Sequence, residues 1–538
     1  MARTQLYADP AGRFVHDVIL ETCQRNAAKI ALIDTSCNDT SSDNTSNGRR
    51  LTYAEYAELV ESLASGLVSA GLNPGEVIAV FLPNSWEFAI AYHAATLAGS
   101  IPTLLNPAYR EREVRYQLQN SGAVFLITDA PLIQDVNLVG LPALRRVFTT
   151  RHQCPNSEPF ANLLRATSAR LPKPGNPSIE TIAALPYSSG TTGLPKGVML
   201  SHYNLVANVY QLLGPNGTPL TSADTMLCFL PLYHIYGLTV VLTLSVALGS
   251  TLVLMPRFDV PKLCALLIEE GVTMMPLVPP AINALCQAAE AGIFPKNHKV
   301  RWIKSGAAPL APELAHRFTN LTGIPILQGY GMTEASPVTH IGYLAPPSMY
   351  RPGSIGQPVA LTECRILPLN TTDPNDNEVA PGEPGELVMR GPQFMLGYWK
   401  EPQATAAVLR DGWYFSGDVV RIDADGFYYV VDRRKEMIKY KGFPVAPAEV
   451  ESVLLEHPAV RDCGVVAKPN DEAGEIPCAF VVLREGFNAS GALDRELRCF
   501  VADRIAHHKQ PREVHFVEAI PRTPSGKVLR RELRKNLT

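Results

Sequence analysis

The sequence predicts an α/β protein with a large N-terminal lobe and a smaller α+β domain at its C-terminal end. Short apolar runs alternate with helix-like segments between residues 52 and 128, which is typical of a parallel sheet covered by helices. The chain of 538 residues exceeds one ordinary domain of about 100–200 residues. After Asp432 the pattern changes, which indicates a second domain. Hydrophobic residues make up 46% of the chain and charged residues 18%, which allows a large core.

The elements of the large lobe are predicted from hydrophobic periodicity. Thr52 and Glu55 form a capping box, and apolar residues then recur at helical spacing until Gly71. The run Val77–Leu82 is too continuously apolar for a strand with one exposed face, so it predicts a buried strand. The elements expected next are a helix at 85–98, a strand at 101–105, a helix at 110–119 and a strand at 124–128. Strand, helix and strand in this order imply right-handed parallel crossovers.

The segment after Asp432 predicts a small α+β domain. It begins with a basic run and a Gly442-Phe443-Pro444 turn. The elements expected after this turn are a helix from about Ala448, strands at 463–467 and 478–483, a helix at 493–505 and a strand at 514–517. We therefore expect one domain at 1–432 and a second at 433–538.

The uncharged stretch Gly237–Met255 allows two interpretations. Its length matches that of a helix that spans a membrane. Gly249-Ser250 interrupts it, however, and the residues after Thr251 are rich in strand formers. A buried helix, a turn and a buried strand explain the stretch equally well, and we expect no stable membrane insertion.

Charge and cysteine content limit the possible partners and compartment. The 48 basic and 51 acidic residues give a net charge of −3, so there is no global basic field to bind nucleic acid. The ten cysteines show neither a C-x-x-C pair nor zinc-ligand spacing, which favours a reducing compartment. The N-terminal residues lack the apolar segment of a secretory signal. We expect a cytoplasmic protein without a nucleic-acid partner, and the sequence leaves its oligomeric state open.

Residues 187–197 form a segment rich in glycine, serine and threonine that follows an apolar run. Small residues let backbone N–H groups approach phosphate oxygens, hydroxyls add donors, and Lys196 adds positive charge. A flexible surface loop is the alternative interpretation. A Walker loop is excluded because Pro195 stands where that motif needs glycine. The predicted phosphate contacts are Ser188, Ser189, Gly190, Thr191, Thr192, Gly193 and Lys196.

Six further motifs follow this loop along the chain. They are LPLYHIYG (Leu230–Gly237), KSGAAPL (Lys304–Leu310), QGYGMTE (Gln328–Glu334), GWYFSGD (Gly412–Asp418), VDRRKEMIKYKG (Val431–Gly442) and RTPSGKVLRREL (Arg522–Leu533). In this order the motifs resemble those of the adenylate-forming superfamily, which includes acyl-CoA synthetases, luciferases and adenylation domains of non-ribosomal peptide synthetases. KSGAAPL, QGYGMTEASPV and KYKGF are most similar to the 4-coumarate:CoA ligase branch. The resemblance implies a large adenylating lobe with several subdomains and a small, mobile C-terminal domain.

The resemblance also implies a two-step reaction that uses ATP, Mg²⁺ and coenzyme A. A carboxylate first joins AMP with release of pyrophosphate, and the acyl group then passes to a thiol. Because the carboxylate and the triphosphate are both anions, the first step needs positive charge. By resemblance, Glu334 holds Mg²⁺, Thr333 contacts the α-phosphate, and Lys527 bridges the two anions. A solvated, idle lysine is the alternative for Lys527, but the Pro524-Ser525-Gly526 turn favours directed use.

Other motif residues are expected to hold the nucleoside. By resemblance, Asp418 accepts hydrogen bonds from both ribose hydroxyls, with Arg433 beside it. A turn-capping role is also open for Asp418 and does not exclude ribose binding. Tyr330 is expected against adenine, with the backbone of Gly306–Ala308 on the other side of the base. The expected nucleoside contacts are Gly306, Ala307, Ala308, Gln328, Gly329, Tyr330, Thr333, Asp418 and Arg433.

The acyl pocket is expected beside the LPLYHIYG motif. His234 on its own would be interpreted as a buried core histidine, but within this motif it matches the aromatic gate of the family. Lys304 would approach a phenolic hydroxyl, with a charged strand end at the surface as the alternative. The expected acyl-site residues are His234, Tyr236, Lys304, Gly331, Pro337 and Val338.

The thioester step needs a different placement of the C-terminal domain. By resemblance, the domain swings about a hinge at 432–435, for which Lys435 is the predicted pivot, and this motion withdraws Lys527. It also brings residues 439–442 to the active site. There Lys439 acts in the thioester step, Lys441 suits the anionic CoA, and Gly442 permits close passage of the pantetheine arm. The sequence departs from the coumarate-ligase branch at Pro444, where that branch usually has glutamine, so the corresponding amide contact is missing.

The sequence therefore predicts an ATP-dependent carboxylic acid:CoA ligase that forms an acyl-adenylate and releases AMP and pyrophosphate. A hydroxycinnamate-type aromatic acid such as 4-coumarate is the expected substrate, and a medium- or long-chain fatty acid is the main alternative. Remoter alternatives are a luciferase-like oxygenase, a stand-alone amino-acid adenylation enzyme and a non-catalytic nucleotide-binding protein. The expected partners are small molecules, namely the acid, ATP and CoA.

Overall fold

The structure is a computed structural model that describes residues 10, 12–36, 48–165, 171, 178–188, 195–214, 217–343, 349–369, 371–440, 443–470, 473–523 and 526–537. Helices and strands alternate through a large N-terminal part, and a smaller part with its own sheet follows. The predicted α/β class, with a large and a small domain, is confirmed.

A parallel sheet forms early in the chain. The elements up to residue 164 are α1 (Val15–Arg25), β1 (Ile30–Asp34), β2 (Arg49–Thr52), α2 (Tyr53–Ser69), β3 (Val77–Phe81), α3 (Trp86–Leu97), β4 (Ile101–Leu104), α4 (Glu111–Ser121), β5 (Phe125–Thr128), α5 (Ala130–Ile133), β6 (Arg146–Thr149), β7 (Glu158–Pro159) and α6 (Phe160–Leu164). The predicted capping box begins α2, because Thr52 and Glu55 each accept a hydrogen bond from the other's backbone N–H. Strands β4-β3-β5-β6-β7 pair in parallel, which confirms the predicted parallel sheet.

A nine-stranded sheet forms the centre of the large domain. The elements from 182 to 358 are β8 (Ile182–Ala184), β9 (Tyr187–Ser188), β10 (Lys196–Ser201), α7 (His202–Leu213), β11 (Thr225–Cys228), α8 (Leu244–Leu248), β12 (Thr251–Leu254), α9 (Val260–Glu269), β13 (Met274–Leu277), α10 (Pro279–Glu290), β14 (Trp302–Ser305), α11 (Pro312–Thr322), β15 (Ile326–Gly331), β16 (Val338–Ile341) and β17 (Gln357–Pro358). The strand order is β17-β16-β15-β14-β13-β11-β12-β1-β2. The inner strands are parallel, so the carboxyl ends of β14 and β15 lie side by side, where α/β sheets usually bind ligands.

The uncharged stretch from Gly237 is part of the core of this domain. It forms a π-helix (Tyr236–Thr243) and α8, and β12 follows after a left-handed turn at Gly249. Every residue of the π-helix and most of α8 are buried. Among the helices that the structure describes, none has both the length and the apolar character that crossing a membrane requires. The interpretation as a buried helix, a turn and a buried strand is confirmed.

The last third of the chain contains two further sheets. Its elements are β18 (Glu363–Leu367), β19 (Gly385–Arg390), β20 (Gly397–Tyr398), α12 (Pro402–Val408), β21 (Leu409–Arg410), β22 (Trp413–Ile422), β23 (Tyr428–Arg433), β24 (Ile438–Tyr440), β25 (Phe443–Val445), α13 (Pro447–Leu455), β26 (Val460–Asn470), β27 (Gly474–Leu483), α14 (Gly491–Ala502), β28 (Glu513–Phe516) and α15 (Arg530–Lys535). Strands β18, β19, β21, β22 and β23 share one sheet, whereas β24 to β28 form another with separate apolar clusters beneath it. The small domain therefore has its own core.

The predicted Gly442-Phe443-Pro444 turn is wrong at its last two positions. Phe443 and Pro444 belong to β25, which pairs with β24, and Gly442 lies outside the described residues. β25 is an edge strand, so the missing N–H of proline leaves no central ladder bond unmade. A Gly-Phe-Pro sequence therefore does not exclude a strand here.

Three buried histidines lie between the first helices and α7. His16, His93 and His202 are at most 3% exposed, and the His16 and His202 rings meet edge to face at 5.8 Å. His202 Nδ1 accepts a hydrogen bond from the Val15 N–H, and His93 Nδ1 pairs with the Tyr56 hydroxyl. Burial lowers the pKa of His93 and of His202 to about 3, and it lowers that of His16 to about 4 despite the neighbouring Asp17. All three are therefore neutral in the folded protein at pH 7.

We expect these histidines to make the protein sensitive to acid. Their folded pKa values lie below the unfolded value of about 6.5, so stability is complete above that pH and falls as the unfolded chain takes up protons. Below about pH 6, each histidine lowers the free energy of unfolding by about 1.4 kcal/mol for every pH unit. His16→Phe should keep the ring packing and reduce the acid-induced loss by about a third. Urea unfolding between pH 7 and pH 5 measures this loss. His316→Gln, at an exposed position, is the control, and equal losses in His16→Phe and wild type would contradict the prediction.

Candidate active site

The carboxyl ends of β14 and β15 carry several of the predicted nucleotide residues. Gly306–Ala308 follow β14 directly, and Gln328–Gly331 form the end of β15. Ala307 has a φ of +70°, a left-handed conformation that residues with a Cβ rarely adopt. Strain of this kind concentrates at functional sites, because it fixes the direction of backbone groups there.

Asp418 and two other predicted nucleoside residues, Tyr330 and Arg433, form one cluster, called here the nucleoside cluster. Asp418 lies in β22, directly opposite Arg433 in β23. The Arg433 Nε is 3.1 Å from Asp418 Oδ1, and the Tyr330 hydroxyl donates a hydrogen bond to Oδ2 at 2.5 Å. The Asp418 side chain is 8% exposed, so these two partners, and not bulk water, stabilise the carboxylate. This arrangement presents a buried carboxylate next to an aromatic ring and a guanidinium.

Glu334 lies close to this cluster in a single 3₁₀ turn, Thr333–Ala335, that follows β15. Its Oε1 accepts a hydrogen bond of 2.8 Å from the Tyr398 hydroxyl, and its backbone oxygen accepts one from the Met395 N–H. The residue is 8% exposed. The Glu334 carboxylate and the adjacent Thr333 hydroxyl are hard oxygen donors, which is the chemistry that Mg²⁺ prefers.

The end of the predicted phosphate loop lies beside Glu334. Lys196 begins β10 and pairs with Ser188 in β9. The Lys196 Nζ is 5.2 Å from the centroid of the Tyr398 ring, so one tyrosine contacts both the lysine and the carboxylate. The other residues predicted for this loop lie outside the described residues: Ser189, Gly190, Thr191, Thr192 and Gly193.

Lys304 is buried at the end of β14. It is 2% exposed, and its Nζ has no hydrogen-bond partner among the residues that the structure describes. Burial lowers its pKa to about 7. A Cβ added at Gly329 would lie 2.9 Å from the Lys304 Cε, so the lysine side chain runs over this glycine. The alternative of a charged strand end at the surface is excluded.

The two faces of β15 present different chemistry. Successive residues of a strand point to opposite faces, so Tyr330 faces Asp418, whereas Gly329 and Gly331 face the other side with Lys304. On that side a Cβ at Gly331 would lie 2.0 Å from the Pro337 oxygen, so only glycine fits. The strand therefore separates the nucleoside cluster from the residues predicted for the acyl group.

The remaining predicted acyl-site residues surround this second face. The Tyr236 hydroxyl donates to the Lys304 backbone oxygen at 3.2 Å, and its ring lies against Gly306. His234 Nδ1 accepts from the Tyr236 N–H at 3.2 Å, and burial lowers the pKa of His234 to about 4, so the ring is neutral. Val338 is buried, and its N–H donates to Asn208 Oδ1.

The small domain places Lys527 close to the nucleoside cluster. Burial lowers the pKa of Lys527 to about 8, and the nearby Arg433 adds to this effect. The neighbouring Gly526 has a φ of +85°, and a Cβ there would lie 2.8 Å from the Pro280 Cδ at the start of α10. Gly526 thus makes a close contact with the large domain that a residue with a side chain would prevent.

The turn between β23 and β24 is anchored on both sides of Lys435. Arg434 forms an ion pair with Glu386 of the large domain, and its N–H donates to the Gly417 oxygen. Glu436 forms an ion pair with Arg530 in α15 of the small domain. Lys435 itself is exposed between these two anchored neighbours.

Lys439 lies at the surface of the small domain. It is exposed in β24, and its N–H donates to the Glu475 carboxylate. Lys441 and Gly442, predicted to act with it, lie outside the described residues. The structure therefore presents only Lys527, of the two predicted catalytic lysines, to the nucleoside cluster.

Sequence reasoning missed the residues that hold the cluster in place. Tyr398 and Glu386 are buried, and each contacts a predicted site residue or the hinge turn. The sequence signal available for Tyr398 was the GYWK segment at 397–400, which combines a glycine with two aromatic residues. Nothing in the sequence pairs Glu386 with Arg434, because 48 positions separate them.

Three possible metal ligands also come together in the small domain. Atoms of Cys478, Glu513 and His515 lie within 4.8 Å of one another. The Glu513 carboxylate already forms an ion pair with Lys468 at 2.7 Å, and this ammonium would repel a cation. We assign no function to this group.

We expect Lys304 to reduce the stability of the fold. Its folded pKa of about 7 lies below the usual value of 10.5. The reduction in the free energy of unfolding is therefore largest below pH 7 and disappears above about pH 10.5. Lys304→Met should raise the free energy of unfolding at pH 7.5 by about 2–4 kcal/mol. Urea unfolding measures this gain, which should shrink towards pH 10. Lys296→Met, at an exposed position, should change little, and a Lys304→Met protein no more stable than wild type would refute the prediction.

Comparisons with known proteins identify the family of this chain. Residues 19–399 match the family model described as AMP-binding enzyme, and residues 449–527 match the AMP-binding enzyme C-terminal domain. The chain is 38% identical over 531 residues to "4-coumarate–CoA ligase 5" of Oryza sativa subsp. japonica, and the match covers 97% of this chain and 94% of that protein.

Solved structures show the same similarity. ATP-bound MatB from Rhodopseudomonas palustris has a TM-score of 0.85 at 26% identity, with 97% of this chain and 98% of that chain covered. O-succinylbenzoate coenzyme A synthetase from Bacillus subtilis, in complex with ATP and a magnesium ion, has a TM-score of 0.77 at 29% identity, with 96% and 99% covered. Because the family models match most of this chain, it belongs to the AMP-binding enzyme family.

Proposed function

We propose that this protein is an AMP-forming acid:CoA ligase that activates a hydroxycinnamate-type aromatic acid. The observation that carries the substrate class is Lys304, a buried amine without a described partner on the acyl face of β15. The similarity to a 4-coumarate–CoA ligase over nearly the whole chain supports the reaction. ATP, Mg²⁺ and CoA are the proposed co-substrates and cofactor, and the nine described cysteines, all free thiols, support a cytoplasmic location.

In the first step the chain must bring two anions together. Asp418 would accept hydrogen bonds from the ribose, Tyr330 and the Gly306–Ala308 backbone would enclose the base, and Thr333 would contact the α-phosphate. The Glu334 carboxylate fits Mg²⁺ because it is an oxygen donor held in a fixed orientation. When bound, Mg²⁺ supplies positive charge that stabilises the triphosphate and the leaving pyrophosphate.

Lys527 supplies the second positive charge of this step. It lies beside Arg433 near the nucleoside cluster, and its pKa of about 8 leaves it mostly charged at pH 7. The approach of a carboxylate and a phosphate raises the pKa of an ammonium, so Lys527 becomes fully charged when both substrates are bound. The proposed role of Lys527 is to lie between the carboxylate and the phosphate and to reduce the repulsion between them.

Lys304 is proposed to select the acid. A phenolic hydroxyl can donate to the neutral amine or accept from the ammonium, so either protonation state gains a hydrogen bond that the free protein lacks. An alkyl chain would leave the amine buried and unpaired. This contrast favours a hydroxylated aromatic acid over a medium- or long-chain fatty acid.

The thioester step is proposed to follow rotation of the small domain. Lys435 is the proposed pivot, since its neighbours on either side are held by different domains. Rotation would withdraw Lys527 and bring Lys439 to the acyl carbonyl, together with Lys441 and Gly442. The boundary between 432 and 433 remains part of this proposal.

An acid panel tests the substrate class. CoA consumption and pyrophosphate release are measured with 4-coumarate, cinnamate and decanoate. We expect 4-coumarate to have the highest kcat/KM. Lys304→Met should lower kcat/KM for 4-coumarate about 10- to 100-fold, since the loss of one buried hydrogen-bond partner costs about 1–3 kcal/mol. The value for cinnamate should stay within about threefold, because cinnamate has no hydroxyl for Lys304 to bind.

The other outcomes of the panel distinguish the alternatives. A preference for decanoate would replace the aromatic acid with a fatty acid. Pyrophosphate release without acyl-CoA would indicate an adenylating enzyme of another kind, and no turnover of any acid would indicate a nucleotide-binding protein.

Two lysine variants should separate the half-reactions. Lys527→Ala should lower adenylate formation about a hundred- to thousandfold, since one transition-state contact is worth about 3–4 kcal/mol, and should spare thioester formation from supplied acyl-AMP. Lys439→Ala should show the opposite, with pyrophosphate released in the first turnover and acyl-AMP retained on the enzyme. Single-turnover assays of each half-reaction measure both effects. Equal losses in both steps for either variant would refute its assignment.

A further inference from the structure

One short segment holds Glu334 at both its side chain and its backbone. The Tyr398 hydroxyl donates to Glu334 Oε1 at 2.8 Å, and the Met395 N–H donates to the Glu334 backbone oxygen at 2.8 Å. The side-chain bond uses one carboxylate oxygen, Oε1, and leaves Oε2 outside the bond. Four residues of chain thus determine where Glu334 lies and how it is oriented.

The strand that contains Tyr398 is itself fixed by β10. Val198 pairs with Tyr398 in an antiparallel ladder, and backbone hydrogen bonds join Leu396 to Met199 and Trp399 to Gly197. The Tyr398 N–H donates to the Thr405 hydroxyl in α12. Hydrogen bonds to β10 and to α12 therefore hold the backbone of Tyr398 in place.

The Tyr398 ring also lies beside the predicted phosphate loop. The residue is 9% exposed. The same ring is 5.2 Å from the Lys196 Nζ at the start of β10. Tyr398 thus connects the carboxylate with the lysine of the predicted phosphate loop.

We infer that Tyr398 is a positioning residue that orients Glu334 for the divalent cation of the metal–ATP complex. The inference rests on the proposed function, since it takes Glu334 as the ligand of Mg²⁺. Groups that hydrogen-bond a metal ligand orient it, and their loss typically weakens metal binding about 10- to 100-fold. The Tyr398 hydroxyl provides such a bond to Glu334.

The Tyr398→Phe variant tests this inference because it removes the hydroxyl and keeps the ring near Lys196. Mn²⁺ is titrated into the full-length protein with an ATP analogue that has a methylene bridge between the α- and β-phosphates, and free Mn²⁺ is measured by electron paramagnetic resonance. We expect the dissociation constant for Mn²⁺ to rise about 10- to 100-fold. AMP binding without metal, measured by calorimetry, should be unchanged. Saturating Mg²⁺ should restore most of kcat for pyrophosphate release.

Tyr53→Phe is the matched control. Tyr53 is fully buried in α2, and its hydroxyl donates to the Ser250 backbone oxygen at 2.6 Å, so this variant also loses one buried hydroxyl. It should leave Mn²⁺ binding unchanged. If both tyrosine variants weaken Mn²⁺ binding equally, the effect comes from lost stability and the inference is overturned.

A double-mutant cycle provides a second test. Glu334→Gln keeps an oxygen that can accept from Tyr398 but removes the charge, and it should weaken Mn²⁺ binding by itself. In that background Tyr398→Phe should add little, because the carboxylate that it orients is gone. Independent, additive losses would overturn the inference.

The outcomes also distinguish this inference from the proposed function. Unchanged Mn²⁺ affinity in Tyr398→Phe, with acyl-CoA formed by the wild-type protein, overturns only the role of Tyr398. Weaker Mn²⁺ binding in the variant, with no acid turned over by the wild type, supports the role of Tyr398 and overturns the ligase. A wild-type protein that binds no metal–nucleotide complex overturns both.

Discussion

The ion pair between Asp418 and Arg433 is the interaction on which the rest of the site depends. The two residues face each other across β22 and β23, so the sheet itself sets their separation. Tyr330 reaches the same carboxylate from β15, and the contact joins the central sheet to the neighbouring sheet. Arg433 is also the last residue of β23, directly before the turn that leads to the small domain. One buried carboxylate thus connects two sheets of the large domain to the turn that leads to the small domain.

The sequence was sufficient for the fold and for the residue types of the site. Alternating apolar runs predicted the parallel sheet because buried strands and the helices that cover them differ in the periodicity of their hydrophobic residues. The predicted capping box at Thr52 is present at the start of α2. Tyr330, Asp418 and Arg433 were expected at one nucleoside site, and the structure brings them together. The resemblance of their motifs to those of the adenylate-forming superfamily made this possible.

What the sequence left open depends on contacts between distant segments. The burial of Lys304 could not be predicted, because a lysine at a strand end is exposed or enclosed according to what packs over it. The support of Glu334 by Tyr398, 64 positions away, has no local pattern. Phe443 and Pro444 were expected in a turn, because their propensities favour turns, but pairing with β24 overrides that preference. In each of these three cases tertiary contacts, and not the local sequence, determine the conformation or burial of the residue.

The short distance between Arg433 and Lys435 has a consequence for the order of events. Under the proposed function, the nucleotide binds one end of a three-residue segment and the domain rotates about the other. A bound nucleotide therefore restricts the backbone of residues 433–435, which must rotate. Rotation of this segment in turn weakens the contact between Arg433 and the nucleotide site. Retention of AMP and rotation of the small domain both depend on the conformation of the same short backbone segment. We therefore expect release of AMP and return of the domain to occur at one common rate.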